Sequence, residues 1–437
     1  MKLPQKPPNE DNFFHRLNTA DTVSIKELKP FLDLANSEYL HWDELRHDDR
    51  FKNLDLNLLW NYLRFTRESN FRHIAMGSVP LNYCQTPLIE KMLHDVDFKA
   101  GGKIGLPGQL PELTLQKKYL VNSLMEEAIA SSQLEGAVTS RLVAKQMLLE
   151  KRKPRTSSEK MIVNNYRTMN YIREKTRQND RLTPDIIKEI HRQISKDTLD
   201  KPEDEGVFRT NNEIKVYSTD DFSEPIYSPP DFNKIEEMIT HVCDFANNES
   251  KEYYLHPIVK AIVLHFMMGY IHPFCDGNGR TGRALFYWYL ISQGYDYFEY
   301  LSVSKVIKEA PAQYARAYLF TESDGDDLTY FVVFNLRCLD RAVSLFENYV
   351  EKTREQNNKI LETIRQNDRL NLRQADLLMV LSKNLKPITI KEVTERYKVT
   401  YETARTDLLN LVNEGYLESL KRGKQHLFLP SKQRLLS

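Results

Sequence analysis

The sequence is poor in features that mark metal-binding, disulfide-linked or membrane proteins. Its four cysteines, Cys84, Cys243, Cys275 and Cys338, are scattered and form no Cys-x-x-Cys pair. This spacing argues against a zinc site and against a disulfide framework. No uncharged run reaches about 18 residues, and the first residues lack the apolar segment of a secretion signal. We therefore expect a cytoplasmic protein without a membrane span.

The sequence also lacks a net charge. Its 61 Lys and Arg residues balance 61 Asp and Glu residues, so no overall field attracts nucleic acid or an anionic membrane, and any such binding must be local. A chain of 437 residues exceeds the roughly 250 to 300 residues at which a single core stops growing. We expect more than one domain, with a helical N-terminal region over 1–110, a central region over 111–350 and a separate C-terminal domain over 351–437.

The segment HPFCDGNGRTGR, residues 272–283, concentrates chemically useful side chains in twelve positions. The run before it is apolar almost all round and predicts a buried helix. Gly277 and Gly279 permit a close backbone approach, so the turn can direct several N–H groups into one anion-binding concavity. A second helix that begins near Arg280 adds its positive dipole end to the same concavity. The segment predicts a phosphate site.

The charged residues of this segment have complementary roles at such a site. Arg280 and Arg283 lie three residues apart on one helical face, where two guanidinium groups can bind phosphate oxygens. Asp276 can hold Mg²⁺, which takes one or two carboxylates together with phosphate oxygens. The pKa of a histidine suits His272 to remove a proton from an attacking hydroxyl at neutral pH.

The pattern His-x-Phe-x-Asp/Glu-Gly-Asn-Gly-Arg-x-x-Arg resembles the motif of the Fic family at every defined position. Its eight fixed positions recur by chance with a probability on the order of 10⁻¹⁰ per start site. The resemblance implies a mostly helical core that transfers AMP from ATP to a protein hydroxyl. It makes His272 the general base and Asp276 the Mg²⁺ ligand. Gly277, Asn278 and Gly279 would form the anion hole, with Arg280 and Arg283 on the outer phosphates.

A second pattern, Ser131, Glu135 and Gly136 in ASSQLEGA, is similar to the end of the family's inhibitory helix. The segment before it has a helical pattern, and we expect this helix near 120–136. A Glu135 carboxylate delivered to Arg283 would form a bidentate pair and occupy donors meant for the γ-phosphate. Glu135 could instead position a water molecule that removes AMP from a modified protein. The sequence leaves both roles open.

Residues 206–230 predict a β-hairpin, because alternation around EIKVY and EPIYS flanks a turn-forming segment. Its place before the motif resembles the family's flap, which aligns a target segment by strand addition. The stretch 213–230 would then dock the protein substrate or a self-modification site of the same chain. An ordinary surface hairpin is the alternative.

The C-terminal region resembles a winged helix-turn-helix. Two amphipathic helices flank the turn KVT, and a short hairpin has Gly423 at its tip. The stretch from Lys386 to Lys432 contains nine Lys or Arg residues and six Asp or Glu residues. Three of the basic residues, Lys421, Arg422 and Lys424, lie in the wing. On DNA, the major groove would receive Thr400, Tyr401, Thr403, Arg405 and Thr406. Contact with a protein, including a second copy in a homodimer, is equally compatible with so weak a charge.

The sequence therefore predicts a mainly α fold: a Fic-type helical core with a small β-hairpin flap, plus a C-terminal winged helix-turn-helix domain. The predicted function is Mg²⁺-dependent AMP transfer from ATP to a Ser, Thr or Tyr hydroxyl, inhibited by Glu135. The alternative is a DNA-binding regulator that uses the Fic core as a nucleotide sensor.

Overall fold

The computed structural model describes residues 3–8, 25–77, 79–100, 113–178, 180–217, 225–248, 253–365, 370–384, 387–422 and 425–431. These residues divide into two compact units, Met1–Ser344 and Leu345–Ser437. The boundary predicted at residue 110 lies outside the described residues. Helices dominate both units, and the three small sheets have two, two and three strands. The mainly α prediction is confirmed.

The N-terminal part of the first unit combines helices with one hairpin. The helices are α1 (Ile25–Glu38), α2 (Trp42–Leu45), α3 (Leu56–Glu68) and α4 (Pro87–Ala100). Strands β1 (Phe71–Met76) and β2 (Val79–Cys84) pair in antiparallel fashion. We expected helices throughout this region, and that expectation was wrong for residues 71–84. Side chains of both strands alternate in burial, and Gly77 takes a left-handed φ of 61° where the chain turns.

The remainder of the first unit surrounds the motif with helices. In chain order they are α5 (Leu113–Leu134), α6 (Arg141–Glu150), α7 (Ser157–Thr176), α8 (Pro184–Ser195), α9 (Ile235–Asn247), α10 (Pro257–Ile271), α11 (Asn278–Ser292), α12 (Val303–Glu309) and α13 (Pro311–Ser323). The next helix, α14 (Thr329–Arg365), begins in this unit and continues past its last residue, Ser344. Strands β3 (Val216–Tyr217) and β4 (Pro225–Tyr227) form a short antiparallel pair between α8 and α9. The turn between these strands lies outside the described residues.

Helices α10 and α11 form the centre of this unit. They pack along each other, and α7 and α8 pack against α11. Twelve residues of α10 are buried, as the apolar run predicted. Pro257 occupies the first turn of α10, where its missing N–H costs nothing, and the imidazole of His256 accepts the N–H of Ile258. The motif therefore begins at the end of a helix fixed on all sides.

The second unit contains α15 (Leu372–Asn384), α16 (Ile390–Tyr397) and α17 (Tyr401–Asn413), with strands β5 (Ile388–Thr389), β6 (Leu417–Arg422) and β7 (Gln425–Pro430). The strand order is β5-β7-β6, and all described pairings are antiparallel. Thr389 caps α16 with a reciprocal bond to Glu392, and Thr400 caps α17. This is the predicted winged helix-turn-helix. The wing tip, Gly423 and Lys424, lies outside the described residues.

Within the part of the chain that is described, no helix combines the length and apolar character needed to cross a bilayer.

Candidate active site

Side chains of the motif loop stabilise its conformation. Phe274 is fully buried beneath the loop. The Asn278 side chain accepts the N–H of Phe274 at 2.9 Å and donates to the carbonyl of Phe274 at 2.8 Å. Both ends of this amide are thereby used, and Asn278 is only 2% exposed. Asn278 can therefore bind an anion through its backbone N–H but not through its side chain.

Gly277 and Gly279 shape the start of α11. Gly277 is the residue before the helix and has a φ of 81°, which favours glycine. At Gly279 an added methyl group would collide with the carboxylate of Glu135. The Glu135 carboxylate thus lies directly over the first turn of α11, where helix N-termini attract anions.

Arg283 connects α11 to the end of α5. Its Nε donates to Ser131 Oγ at 2.9 Å, and its Nη2 donates both to the Ser131 carbonyl and to Glu135 Oε1 at 3.0 Å. We expected a bidentate pair with Glu135, but only one Glu135 oxygen contacts Arg283, through the same Nη2 that donates to the Ser131 carbonyl. Arg283 Nη1 is buried without a partner among the described residues. We call this arrangement of Ser131, Glu135 and Arg283 the latch.

A second carboxylate of α5, unremarked in the sequence, also reaches α11. Glu127 is 2% exposed. Its Oε2 accepts from the Tyr287 hydroxyl at 3.0 Å, from the Ser304 N–H at 3.0 Å and from Ser302 Oγ at 3.1 Å. Its Oε1 accepts from Ser304 Oγ. Burial raises the pKa of Glu127, and these hydrogen bonds oppose the shift.

His272 terminates α10 in a left-handed conformation with a φ of 49°. Its Nδ1 lies 3.3 Å from the carbonyl of Gly269. Because only a protonated Nδ1 can bond to that carbonyl, Nε2 is left with the lone pair that a general base needs. Burial lowers the pKa of His272, so the ring is neutral at pH 7.

Asp276 and Arg280 lie beside the base. The Asp276 side chain is 57% exposed, and its Oδ2 lies 3.2 Å from Arg280 Nη2. Arg280 itself is fully buried, and its Nη1 approaches the carbonyl of Ile194 on α8 at 3.5 Å. In this structure Arg280 therefore faces Asp276 and α8, whereas Arg283 faces the latch.

His191 on α8 is a functional candidate that the sequence reasoning missed. Its Nδ1 accepts the N–H of Gly206 at 3.0 Å, so its Nε2 is the protonated nitrogen, which donates to the carbonyl of Asp276 at 2.8 Å. Its ring stacks on Phe274 with centroids 3.6 Å apart and planes at 1°. Burial lowers its pKa to about 4, which keeps the ring neutral. An isolated histidine on an amphipathic helix gives no signal of such contacts.

The predicted flap leads to the same site. Val216 pairs with Tyr227, and Tyr217 pairs with Pro225. The Tyr227 hydroxyl donates to the carbonyl of Tyr270 in the last turn of α10 at 2.7 Å. This bond attaches the second strand of the hairpin two residues before His272.

In the second unit, the residues predicted to face DNA lie in the first two turns of α17. Thr400, Tyr401, Arg405 and Thr406 are exposed, and Thr403 is half-buried. Arg405 donates to Glu402 at 2.8 Å. The first turns of α17 thus offer hydroxyls, an aromatic ring and a partly compensated charge.

Comparison with known proteins agrees with this geometry. Residues 181–290 match the sequence model of the Fic/DOC family, and residues 373–423 match that of the DeoR-like helix-turn-helix domain. The protein adenylyltransferase Fic of Nematostella vectensis is 24% identical over 273 residues, which cover 59% of this chain and 56% of that protein. Its namesake in Aedes aegypti is 29% identical over 168 residues, covering 38% and 30%. The chain thus spans about half or less of the length of these curated relatives.

Two solved structures share the fold at low identity. A Fic family protein from Desulfovibrio desulfuricans gives a TM-score of 0.55 at 19% identity, covering 81% of this chain and 99% of that chain. Fic-1 from C. elegans gives 0.53 at 18% identity, covering 78% and 92%. Residues 181–290 therefore match the Fic/DOC family within a unit that shares the fold of solved Fic structures, and residues 373–423 match a helix-turn-helix domain that folds as a winged helix.

Proposed function

We propose that this protein transfers AMP from ATP to a Ser, Thr or Tyr hydroxyl of a protein, and that Glu135 restrains the reaction. The observation that carries the proposal is the Glu135 carboxylate over the first turn of α11 and against Arg283. An acidic side chain there occupies a site whose backbone and guanidinium donors suit a phosphate. The relatives named protein adenylyltransferase support this choice of reaction.

His272 acts as the general base in this proposal. Its Nε2 accepts the proton of the target hydroxyl, whose oxygen then bonds to the α-phosphorus as the bond to the departing pyrophosphate breaks. The backbone N–H groups of Asn278 and Gly279 face the negative charge that develops on the phosphate. The Gly277 N–H, which the sequence predicted to join them, donates to Asp276 Oδ1 in this structure. Arg280 and Arg283 are the cations for the outer phosphates, and Arg283 becomes available when Glu135 withdraws.

Asp276 fits a role as the Mg²⁺ ligand. Its side chain is exposed beside the loop, and the described residues contain no cluster of three or more His, Cys, Asp or Glu side chains that could enclose a metal. Mg²⁺ commonly binds through one or two carboxylates and phosphate oxygens, and it would neutralise phosphate charge here. We therefore propose ATP with Mg²⁺ as the cosubstrate.

The target would align on the flap. The β3–β4 pair has only two strands, so a target segment can add to an open edge by backbone hydrogen bonds. A segment of the same chain could dock in this way, which makes self-modification the simplest reaction to observe. Glu135 could also direct water at an AMP-modified target and so remove AMP.

The test is the intact mass and peptide map after incubation with ATP and Mg²⁺. Wild type, Glu135→Gly, and Glu135→Gly combined with His272→Ala are compared, with and without added cell lysate as a source of targets. We expect an adenylyl adduct that increases in Glu135→Gly and disappears in the double variant. A phosphoryl adduct, or no adduct on any protein despite ATP binding, would contradict the proposed reaction.

A second candidate function is regulation of DNA binding by nucleotide. The exposed residues of α17 and the DeoR-like match favour it. Electrophoretic mobility shifts on a selected duplex at physiological salt, with and without ATP, would test it. Duplex binding that is insensitive to Tyr401→Ala and Arg405→Ala would contradict this use of α17. Pairing of two copies through the same surface would appear instead as a dimer in sedimentation.

A further inference from the structure

Arg209 is a buried cation that bonds only to neutral acceptors. It is 4% exposed, and no carboxylate lies within salt-bridge distance of it among the described residues. Burial lowers its pKa, and the charge of Asp231 opposes the shift. An uncompensated buried guanidinium is costly unless its donors are well used. The contacts of Arg209 therefore indicate why a charged side chain is buried at this position.

One side of Arg209 supports the catalytic base. Its Nε donates to the carbonyl of His272 at 2.9 Å, and its backbone N–H donates to the carbonyl of Pro273 at 2.8 Å. His272 has a left-handed backbone with a φ of 49° at the end of α10, a conformation that is unfavourable for a residue other than glycine. The two bonds from Arg209 hold successive carbonyls at this bend.

The other side of Arg209 holds both ends of the hairpin segment. Its Nη1 donates to the carbonyl of Asn211 at 2.8 Å and to Asn212 Oδ1 at 3.1 Å. Its Nη2 donates to the carbonyl of Pro230 at 2.5 Å. Asn211 precedes β3, and Pro230 follows β4. A single guanidinium thus spans the entry and the exit of the flap.

We infer that Arg209 is a positioning residue that sets the distance between the His272 base and the flap on which the target hydroxyl is presented. The inference rests on the proposed function, because it assigns a role within that reaction. The rigid fork of a guanidinium can serve three acceptor directions, whereas the ammonium of lysine is a point donor on a flexible stem. Arg209→Lys keeps the charge and loses the geometry.

The experiment compares Arg209→Lys with Arg181→Lys in the Glu135→Gly protein. Arg181 also bonds a carbonyl and an asparagine side chain, at Asn247 and Asn248, but away from the motif. We expect Arg209→Lys to lower kcat for AMP transfer about 100-fold, because small misplacements of reacting groups cost that much. The KM for ATP should stay within about twofold, since the phosphate donors are on α11. Arg181→Lys should leave both constants unchanged.

Two further measurements keep the inference testable. Added guanidinium ion at non-denaturing concentration should restore part of the kcat of Arg209→Ala. Hydrogen exchange in full-length Arg209→Lys should accelerate in peptides spanning 210–217 and 269–276 and stay unchanged in 119–134.

The outcomes separate the inference from the proposed function. A kcat within twofold of the Glu135→Gly parent, or a loss expressed mainly in the KM for ATP, would overturn the inference. If the Glu135→Gly parent transfers no AMP to any protein, the proposed function fails. Hydrogen exchange then tests the role of Arg209. Faster exchange in both 210–217 and 269–276 supports the link between the base and the flap, and unchanged exchange in both segments refutes it.

Discussion

Glu127 lies in α5, and Glu135 follows the last residue of that helix, Leu134. Both carboxylates extend toward α11, yet their surroundings differ. Glu127 is enclosed and accepts four hydrogen bonds from Tyr287, Ser302 and Ser304. The side chain of Glu135 is 24% exposed and makes one charged contact, with Arg283. Movement of the Glu127 carboxylate would leave buried hydrogen-bond donors without an acceptor, whereas water can replace Arg283 as the partner of Glu135. The contact at Glu127 is therefore fixed, and the contact between Glu135 and Arg283 can be released.

The largest effect should follow from removing the Glu127 carboxylate, and it should be a loss of stability. Glu127→Ala leaves the Tyr287 hydroxyl and the Ser304 N–H without their acceptor, and should lower the free energy of unfolding by about 3 kcal/mol. Denaturant unfolding followed by tryptophan fluorescence measures this, because Trp42, Trp60 and Trp288 all belong to the first unit. The neighbouring Glu126→Ala, which loses a partly exposed pair with Arg141, should cost about 1 kcal/mol or less. Equal losses in the two variants would remove the distinction.

Releasing the latch should change activity rather than stability. Glu135→Gly should raise the rate of AMP incorporation about 100-fold, equivalent to about 2.7 kcal/mol in the barrier, because Arg283 becomes free for phosphate. Its free energy of unfolding should change by less than about 1 kcal/mol. Glu135→Gln keeps the size of the side chain and removes its charge, and should show most of the increase. A normal rate in both variants would contradict inhibition by Glu135.

A smaller effect should follow from loosening the latch while leaving Glu135 in place. Ser131→Ala removes the hydroxyl that accepts from Arg283 Nε. Loss of this one hydrogen bond is worth about 1 kcal/mol, so AMP incorporation should rise roughly fivefold. Ser132→Ala, at the adjacent buried position, serves as the control in the same radiolabel assay. A rise in the control equal to that in Ser131→Ala would indicate general loosening of α5.

The subtlest effect concerns the charge of Glu135 at the base. Burial lowers the pKa of His272 below its ordinary 6.5, and the charge of Glu135 opposes this shift. The rate of Glu135→Gly should therefore be constant above pH 6.5 and fall as the pH drops through the lowered pKa, where the base becomes protonated. NMR titration should give a lower pKa for His272 in Glu135→Gly than in wild type. A higher pKa in the variant would mean that the two groups do not interact.

The sequence was most informative where the relevant residues are adjacent in the chain. The motif occupies twelve consecutive positions, and local backbone rules predicted its turn and the helix that follows. The winged helix was readable for the same reason, because its helices, turn and hairpin succeed one another. These features follow from short-range chemistry.

Contacts between distant segments could not be read in this way. Glu127 is an unremarkable helical glutamate in the sequence, and its partners follow about 160 residues later. His191 bonds to a backbone carbonyl, which every residue possesses, so no pattern of residue types marks it. The β1–β2 hairpin was missed because the helical pattern of the preceding segment was extended through Ser69 and Asn70, where the helix in fact ends. Its pairing with residues near Asp326 depends on the tertiary fold.

The separation between Glu127 and Glu135 gives α5 the properties of a lever. Glu135 directly follows the last residue of α5, so the eight residues from Glu127 to Glu135 place the two carboxylates about 12 Å apart along the axis. A tilt of about 10° around the fulcrum at Glu127 would move the tip by about 2 Å, which is enough to break the contact with Arg283. Under the proposed inhibition by Glu135, little mechanical work at a distant point of the helix would therefore suffice to release Arg283, and the fold itself would not have to open.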